Sequence, residues 1–273
     1  DKVPEDAKLL VIANPKGIFQ DQEVSIIRDF INGGHGSLLV TIDPTEEIAL
    51  MDKPAFGLRE SLRAWGIRCH DILVYDPDER NFDIFTGDYS LRTYSKDSKH
   101  RIINSLREGG YSIQSNRLRP IESISTSDSK FKSMELIFSS RSSWGVTSWS
   151  NRKFPPIENE LLDIKGPLPI ISISEMTNEK NTDFNSRIIV VGTSTILSNK
   201  KLKNSSGNRI LSSKIIYWLT QKQNMMDIKP KKIPLYNLTL NKPELENLMY
   251  TLSIVPISIA FIGLFVGWLR KEL

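Results

Sequence analysis

Residues 9–44 read LLVIANPKGIFQDQEVSIIRDFINGGHGSLLVTIDP, and this stretch decides the fold that the rest of the sequence extends. Leu9–Ala13 and Ser37–Ile42 are short apolar runs of the kind that forms buried strands. The segment between them has the spacing of an amphipathic helix that begins near Asp21 and ends at Gly33, where glycine commonly ends a helix. A strand, a helix and a second strand in this order predict a βαβ unit with parallel strands.

The same alternation of apolar runs and amphipathic segments continues along the chain. Further strands are predicted at Asp71–Tyr75, Met134–Ser139, Pro167–Ser172 and Arg187–Val191, and further helices at Phe56–Trp65, Lys99–Glu108 and Asn208–Gln221. The expected fold class is therefore α/β, with a mainly parallel sheet flanked by helices over residues 1–222. Residues 78–160 are less regular and are interpreted as an insertion in this domain.

The C-terminal region predicts a membrane anchor. Leu252–Leu269 carries no charge and is long enough, as a helix, to cross the hydrocarbon core of a bilayer. We therefore predict a stalk over 223–249, a transmembrane helix over 250–270 and a tail over 271–273. Because Arg270 and Lys271 follow the apolar segment, the positive-inside rule places the tail in the cytoplasm and the body outside it. The expected location is the inner membrane of a bacterium, with the body in the periplasm and lipid as one partner.

Composition limits the classes of partner and cofactor. The 36 basic and 32 acidic residues give a net charge of +4. Because the basic residues form no dense stripe, nucleic-acid binding is not expected. The single cysteine, Cys69, has no partner for an internal disulfide, and no Cys/His set has the spacing of a zinc site. The sequence therefore predicts neither a metal nor a cofactor.

The candidate ligand or partner edge consists of residues that follow predicted strands. They are Asn14, Asp43, Asp76, Gly192 and Thr193. In open α/β sheets the carboxyl ends of the strands form the edge where ligands bind. Asp-Pro is also a common strand-to-turn sequence, so contact with a ligand and a plain turn both remain open for the two aspartates.

Catalytic motifs have weaker support. Cys69 and His70 are adjacent in sequence, but Cys69 begins a predicted strand, whereas a catalytic nucleophile usually lies on a sharp strand-to-helix turn. No G-x-S-x-G sequence and no Walker A sequence occurs. The glycines at 33–36 follow a helix and precede a strand, the reverse of a phosphate-binding loop, so they are interpreted as a helix end. We predict no catalytic residue.

Several segments together resemble a known family. They are the stretch at 9–44, GLRESLRAWGIRCHDILVYDP, ELIFSSRSSWG, GPLPIISIS, RIIVVGTSTILSN and GNRILSSKIIYWLTQ, followed by the Lys/Pro-rich segment and the apolar helix. In this order they resemble the auxiliary component of ABC-type transport systems of the gliding-motility (GldG-like) class. The resemblance implies a body similar to class I glutamine amidotransferases without their nucleophile, and a permease and an ATPase as separate partner chains. Relatives commonly have an acidic residue where this chain has Thr193.

The function expected from these observations is that of a non-catalytic, membrane-anchored accessory subunit of an ABC-type transport system, acting through protein contacts. Two alternatives remain open. One is a membrane-tethered hydrolase or amidotransferase-like enzyme, which would need a nucleophile elbow. The other is a sensor of a sugar or peptide, which would need a deep pocket ringed by Asn14, Asp43, Asp76 and Thr193.

Overall fold

A computed structural model describes residues 2–34, 36–45, 54–95, 100–124, 130–147, 149, 153–177, 185–222 and 242–270. The chain divides into two compact units, residues 1–230 and 231–273. The described residues exclude His35, the predicted tail, and the part of the predicted stalk that ends at position 241.

The centre of the first unit is a six-stranded sheet. In spatial order its strands are β1 (Leu9–Ala13), β2 (Ser37–Thr41), β14 (Arg187–Val191), β13 (Pro169–Met176), β10 (Phe131–Phe138) and β7 (Thr93–Tyr94). The first three strands are parallel, whereas β13, β10 and β7 each run antiparallel to their neighbour. The α/β class is confirmed, but the sheet is mixed, so the prediction of a mainly parallel sheet is wrong for its second half.

Three smaller sheets surround the main one. In the first, β3 (Ile67–Cys69) pairs with β9 (Ile121–Ser123). In the second, the central strand β11 (Trp144–Val146) pairs with β4 (Leu73–Tyr75) and β12 (Ile164–Lys165). In the third, the central strand β6 (Asp88–Leu91) pairs with β5 (Phe82–Asp83) and β8 (Ile113–Asn116). Placing the 71–75 strand in the parallel sheet was therefore wrong. Both edges of β2 are occupied, by β1 and β14, which leaves β4 no position beside it.

Helices cover both faces of the main sheet. Among the described residues of this unit, the helices are α1 (Asp21–Asn32), α2 (Arg59–Ala64), α3 (Arg101–Glu108), α4 (Asn199–Asn204) and α5 (Ser206–Leu219), with 3₁₀ turns at Pro54–Gly57 and Thr195–Leu197. Side chains of a strand alternate between its faces. Leu38 and Val40 of β2 therefore join a core with α1 and α2, while Leu39 joins the opposite core with α3 and α5. This explains why every residue of β2 and β14 is buried.

Helix α1 has defined ends, as the sequence predicts. At its start the side chain of Glu23 accepts a 2.7 Å hydrogen bond from the backbone N–H of Gln20. At its end the N–H of Gly33 donates to Asp29 O, and Gly34 adopts a φ of 75° that favours glycine. The interpretation of this glycine pair as a helix end is confirmed for Gly33 and Gly34.

The described part of the second unit is one helix, α6 (Lys242–Leu269). Within it Glu246–Val266 is long and apolar enough to cross a membrane, by length and composition, and none of this segment is buried. The hydroxyls of Thr251, Ser253 and Ser258 each donate to the carbonyl four residues earlier, at 2.7–2.8 Å. These bonds satisfy the polar atoms within the helix, as an apolar environment requires.

Candidate functional site

Three polar residues lie just beyond the C-terminal ends of the three parallel strands. Asn14 follows β1, Asp43 follows β2, and Ser194 follows β14. One oxygen of Asp43, Oδ2, accepts hydrogen bonds from Nδ2 of Asn14 at 2.5 Å and from Oγ of Ser194 at 2.8 Å. The other, Oδ1, accepts from the backbone N–H of Ser194. We call Asn14, Asp43 and Ser194 the strand-end cluster, because one carboxylate joins three strand ends.

The backbone at Asn14 explains how this arrangement forms. Its φ of 44° lies in the left-handed region, which asparagine tolerates better than most residues. The N–H of Asn14 donates to the carbonyl oxygen of Thr41 at 2.9 Å and to the Thr41 hydroxyl at 3.0 Å. The sharp turn before Pro15 therefore stays attached to β2, and the Asn14 side chain reaches Asp43.

A small cavity lies beside the cluster. Its volume is about 60 Å³, and its lining consists of Asn14, Pro15, Lys16, Asp43, Pro44, Thr45 and Phe56. Sites for small organic ligands are typically about 300–1,000 Å³. The cavity formed by the described residues therefore suits a few water molecules better than a sugar or a peptide.

Gly192 and Thr193 lie at the end of β14 but face the interior. Gly192 is packed so closely on the Arg119 backbone that an added Cβ would lie 1.9 Å from Arg119 O. The buried hydroxyl of Thr193 donates to the carbonyl of Asn116 at 3.0 Å and lies 2.9 Å from the hydroxyl of Thr195. Both residues therefore hold the loop to the 115–119 segment, and neither lines the cavity beside Asp43.

Asp76 belongs to a different part of the unit. It follows β4, outside the six-stranded sheet, and it is buried. Its carboxylate accepts hydrogen bonds from Oγ of Ser140 at 2.5 Å, from Oγ of Ser142 at 2.9 Å and from the N–H of Asp78 at 3.0 Å. Of the five candidate residues, the structure therefore brings together only Asn14 and Asp43 in the strand-end cluster.

The thiol and the imidazoles do not form a catalytic pair among the described residues. Burial raises the pKa of Cys69 to about 12, which keeps it a neutral thiol, whereas a nucleophilic cysteine needs a lowered pKa. Nε2 of His70 lies 3.0 Å from Oε2 of Glu122. His100 is the N-cap of α3, packs edge-to-face on Trp218, and has its pKa lowered to about 4 by burial and then by Arg187.

The cluster has one chemically suggestive contact, between Ser194 and Asp43. A serine nucleophile is normally activated by a neighbouring base such as histidine. Here both oxygens of Asp43 already accept hydrogen bonds, and the backbone N–H of Ser194 binds the same carboxylate as its hydroxyl does. Such a pattern suits a structural tie. No group of three or more His, Cys, Asp or Glu side chains that could hold a metal ion occurs within the described ranges.

Sequence reasoning identified Gly192 and Thr193 but did not single out the next residue, Ser194, whose position after β14 was the available signal.

A family model described as "ABC-type uncharacterized transport system" matches residues 1–214. No curated protein matches the chain. The matched residues contain all strands of the main sheet and the complete strand-end cluster, and they end before α6.

Proposed function

Because the chain belongs to a family of auxiliary components of ABC-type transport systems, we propose that it is a non-catalytic accessory subunit of such a system. In this proposal it acts through contacts with a permease and an ATPase that are separate chains. The observation that carries the proposal is the family match over residues 1–214. The finer GldG-like resemblance and the amidotransferase-like fold are part of the same proposal.

The non-catalytic role has support in the strand-end cluster. In an α/β fold, the carboxyl ends of the strands are where substrate would bind and react. At this place the chain has an aspartate whose oxygens are engaged by Asn14 and Ser194, and a cavity of about 60 Å³. Both features suit a rigid scaffold better than a reaction centre.

Membrane anchoring has support in α6. None of its apolar stretch, Glu246–Val266, is buried, and in water an exposed apolar surface of this kind would be strongly unfavourable. Embedding the helix in lipid would remove that cost. An anchor would also confine the body to the plane of a permease, which raises its effective concentration and allows weak contacts to suffice.

Co-purification tests the accessory role. The full chain with an affinity tag would be extracted from membranes of its source cell in a mild detergent, and the chains that accompany it identified by mass spectrometry. We expect an ABC permease and an ATPase in near-stoichiometric amounts, and neither with a tagged, unrelated single-span protein. Recovery of the chain without any ABC subunit, while another ABC complex from the same extract stays intact, would contradict the proposal.

The contact between Ser194 and Asp43 favours one second candidate, a membrane-tethered hydrolase. An enzyme with an activated serine at this position should react with a fluorophosphonate probe, and Ser194→Ala should abolish the labelling. The accessory role predicts no labelling of the full chain. A sugar or peptide sensor has less support, because the cavity includes Asn14 and Asp43 but neither Asp76 nor Thr193.

A further inference from the structure

An unusual apolar surface lies on the segment 153–165 of the first unit. The exposed fractions of its large side chains are 89% for Ile157, 94% for Leu161 and 59% for Leu162. We call these three residues the apolar turn. Single exposed apolar residues are ordinary, but several close together on a folded domain commonly mark an interaction site.

The apolar turn is held in a defined shape. The carboxylate of Asp163 accepts hydrogen bonds from the N–H of Asn159 at 2.8 Å and from the N–H of Thr147 at 3.0 Å. The side chain of Asn159 accepts from the N–H of Leu161 at 3.1 Å. Directly after the turn, β12 pairs with β11. Leu161 is therefore presented by an ordered turn, which lowers the entropy lost when a partner binds.

An aromatic cluster attaches the same segment to the body. The ring of Phe154 lies edge-on to Tyr75, with centroids 5.5 Å apart, and to Phe82, at 6.1 Å. Tyr75 and Phe82 are both buried in the core on the α3 and α5 side of the sheet. A partner bound at the apolar turn would therefore contact a segment that is packed onto the core of the domain.

The charge beside the apolar turn indicates what can bind. An open groove of about 540 Å³ runs along the segment, and its lining consists of Lys153, Pro155, Ile157, Glu158, Asn159 and Glu160. Two carboxylates and one ammonium group thus line the groove together with the apolar side chain of Ile157, so its charge is negative on balance. An anionic membrane surface would be repelled by this charge, whereas a protein segment with Lys or Arg next to apolar residues would complement both features.

We propose that this groove and the apolar turn bind a basic amphipathic segment of another protein. The inference rests on the proposed function, since it assigns to the accessory subunit the surface through which it contacts its transport complex. Leu161 would be the central apolar contact. Glu158 and Glu160 would pair with the basic residues of the partner and select it over acidic segments.

A synthetic peptide tests the chemistry of the surface. The full chain in uncharged detergent would carry Cys69→Ser and Lys153→Cys, with an environment-sensitive dye on the new cysteine beside the groove. We expect a saturable shift in dye emission with a Leu/Lys amphipathic peptide and none with its Leu/Glu counterpart. Leu161→Asp should weaken binding by about tenfold or more, since one buried leucine contributes that much. Glu158→Gln with Glu160→Gln should weaken it by about three- to tenfold, because exposed ion pairs contribute less.

Matched controls keep the test decisive. Ile216→Asp changes an apolar residue that is 39% exposed on α5 and should leave peptide binding unchanged. Leu161→Asp should keep the urea midpoint of the parent protein, because its side chain is exposed. An equal dye response to the two peptides, or no response to either of them, would overturn the proposal. So would quenching of the dye by nitroxide lipids that is stronger in phosphatidylglycerol than in phosphatidylcholine vesicles, or a dye signal that depends on protein concentration without peptide.

The two proposals can fail separately. If the ABC subunits co-purify with the Leu161→Asp chain as they do with the parent, the accessory role stands and the surface is wrong. If no ABC subunit co-purifies with the parent chain, the accessory role fails, and the peptide measurement still decides the chemistry of the groove.

Discussion

The hydroxyl of Ser194 donates a 2.8 Å hydrogen bond to Oδ2 of Asp43, and the backbone N–H of the same serine donates to Oδ1. Two residues far apart in sequence thereby make a two-point contact that fixes the end of β14 to the end of β2. Asn14 also donates a hydrogen bond to this carboxylate and so links the end of β1 to the other two strand ends. The half-buried strand-end cluster is therefore expected to stabilise the domain. Substitutions in it should lower the free energy of unfolding before they affect any other property.

Asp43→Ala should lower the free energy of unfolding by about 1–3 kcal/mol, because it leaves the donors of Asn14 and Ser194 without their acceptor. Urea unfolding of the full chain in detergent, followed by tryptophan fluorescence, measures this. Asp29→Ala removes an exposed carboxylate from α1 and serves as the control. Equal midpoints for the two variants would show that the cluster does not stabilise the domain.

Gly192→Ala should cost about 3 kcal/mol, at the upper end of the usual range for overpacking, because the new Cβ would meet a rigid backbone carbonyl at Arg119. Gly17→Ala is the matched control, since a Cβ there meets nothing within 4 Å. Thermal unfolding of both variants gives the comparison. A Gly192→Ala protein as stable as Gly17→Ala would mean that the two segments can separate at little cost.

Cys69 should be nearly inert toward maleimide in the folded protein. A pKa of about 12 instead of 9.0 corresponds to roughly a thousandfold lower fraction of thiolate at pH 8. The rate of modification should rise to that of a free cysteine once urea unfolds the domain. Rapid labelling under native conditions would contradict this and restore interest in Cys69 as a nucleophile.

His100 should make the domain less stable in mild acid. Its pKa in the folded state, about 4, lies below the ordinary 6.5, so the unfolded chain binds the proton more readily. The contribution to stability is present above pH 6.5 and is lost as the pH falls toward 4, by about 1–3 kcal/mol.

The variant His100→Asn keeps a good N-cap side chain on α3 but removes the titrating group. Urea midpoints at pH 7, 6 and 5 should therefore fall less steeply for His100→Asn than for the parent chain. Parallel curves would show that another group causes the acid sensitivity.

Orientation in the membrane can be tested with single cysteines in a Cys69→Ser background. Arg28→Cys lies on the exposed face of α1, and Glu272→Cys lies in the predicted tail. In intact spheroplasts a membrane-impermeant thiol reagent should label Arg28→Cys at once and Glu272→Cys only after permeabilisation. The reverse pattern would place the body in the cytoplasm.

Local patterns in the sequence were sufficient for many elements but not for their pairing. The apolar runs at 9–13, 37–42 and 187–191 and the glycines after α1 predict β1, β2, β14 and the helix end, because periodicity and glycine conformation act within a few residues. The position of β4 was not predictable in this way, since it depends on β14 occupying the edge of β2.

The candidate site shows the same limit. Asn14 and Asp43 meet as expected from their places after parallel strands. Thr193 turns inward instead, because its hydroxyl binds the carbonyl of Asn116, a residue of β8 far away in sequence. A single sequence gives no signal for which way a loop side chain points when its partner is that distant.

The position of β2 between β1 and β14 also sets the order in which the main sheet can form during synthesis. The β1–α1–β2 unit is synthesised well before β14, so the second edge of β2 stays open until Arg187–Val191 has been made. Closing contacts between such distant segments is slow, and an open apolar strand edge invites pairing with other chains. A nascent body of this topology is therefore exposed to wrong pairing until the strand that completes its sheet has been made.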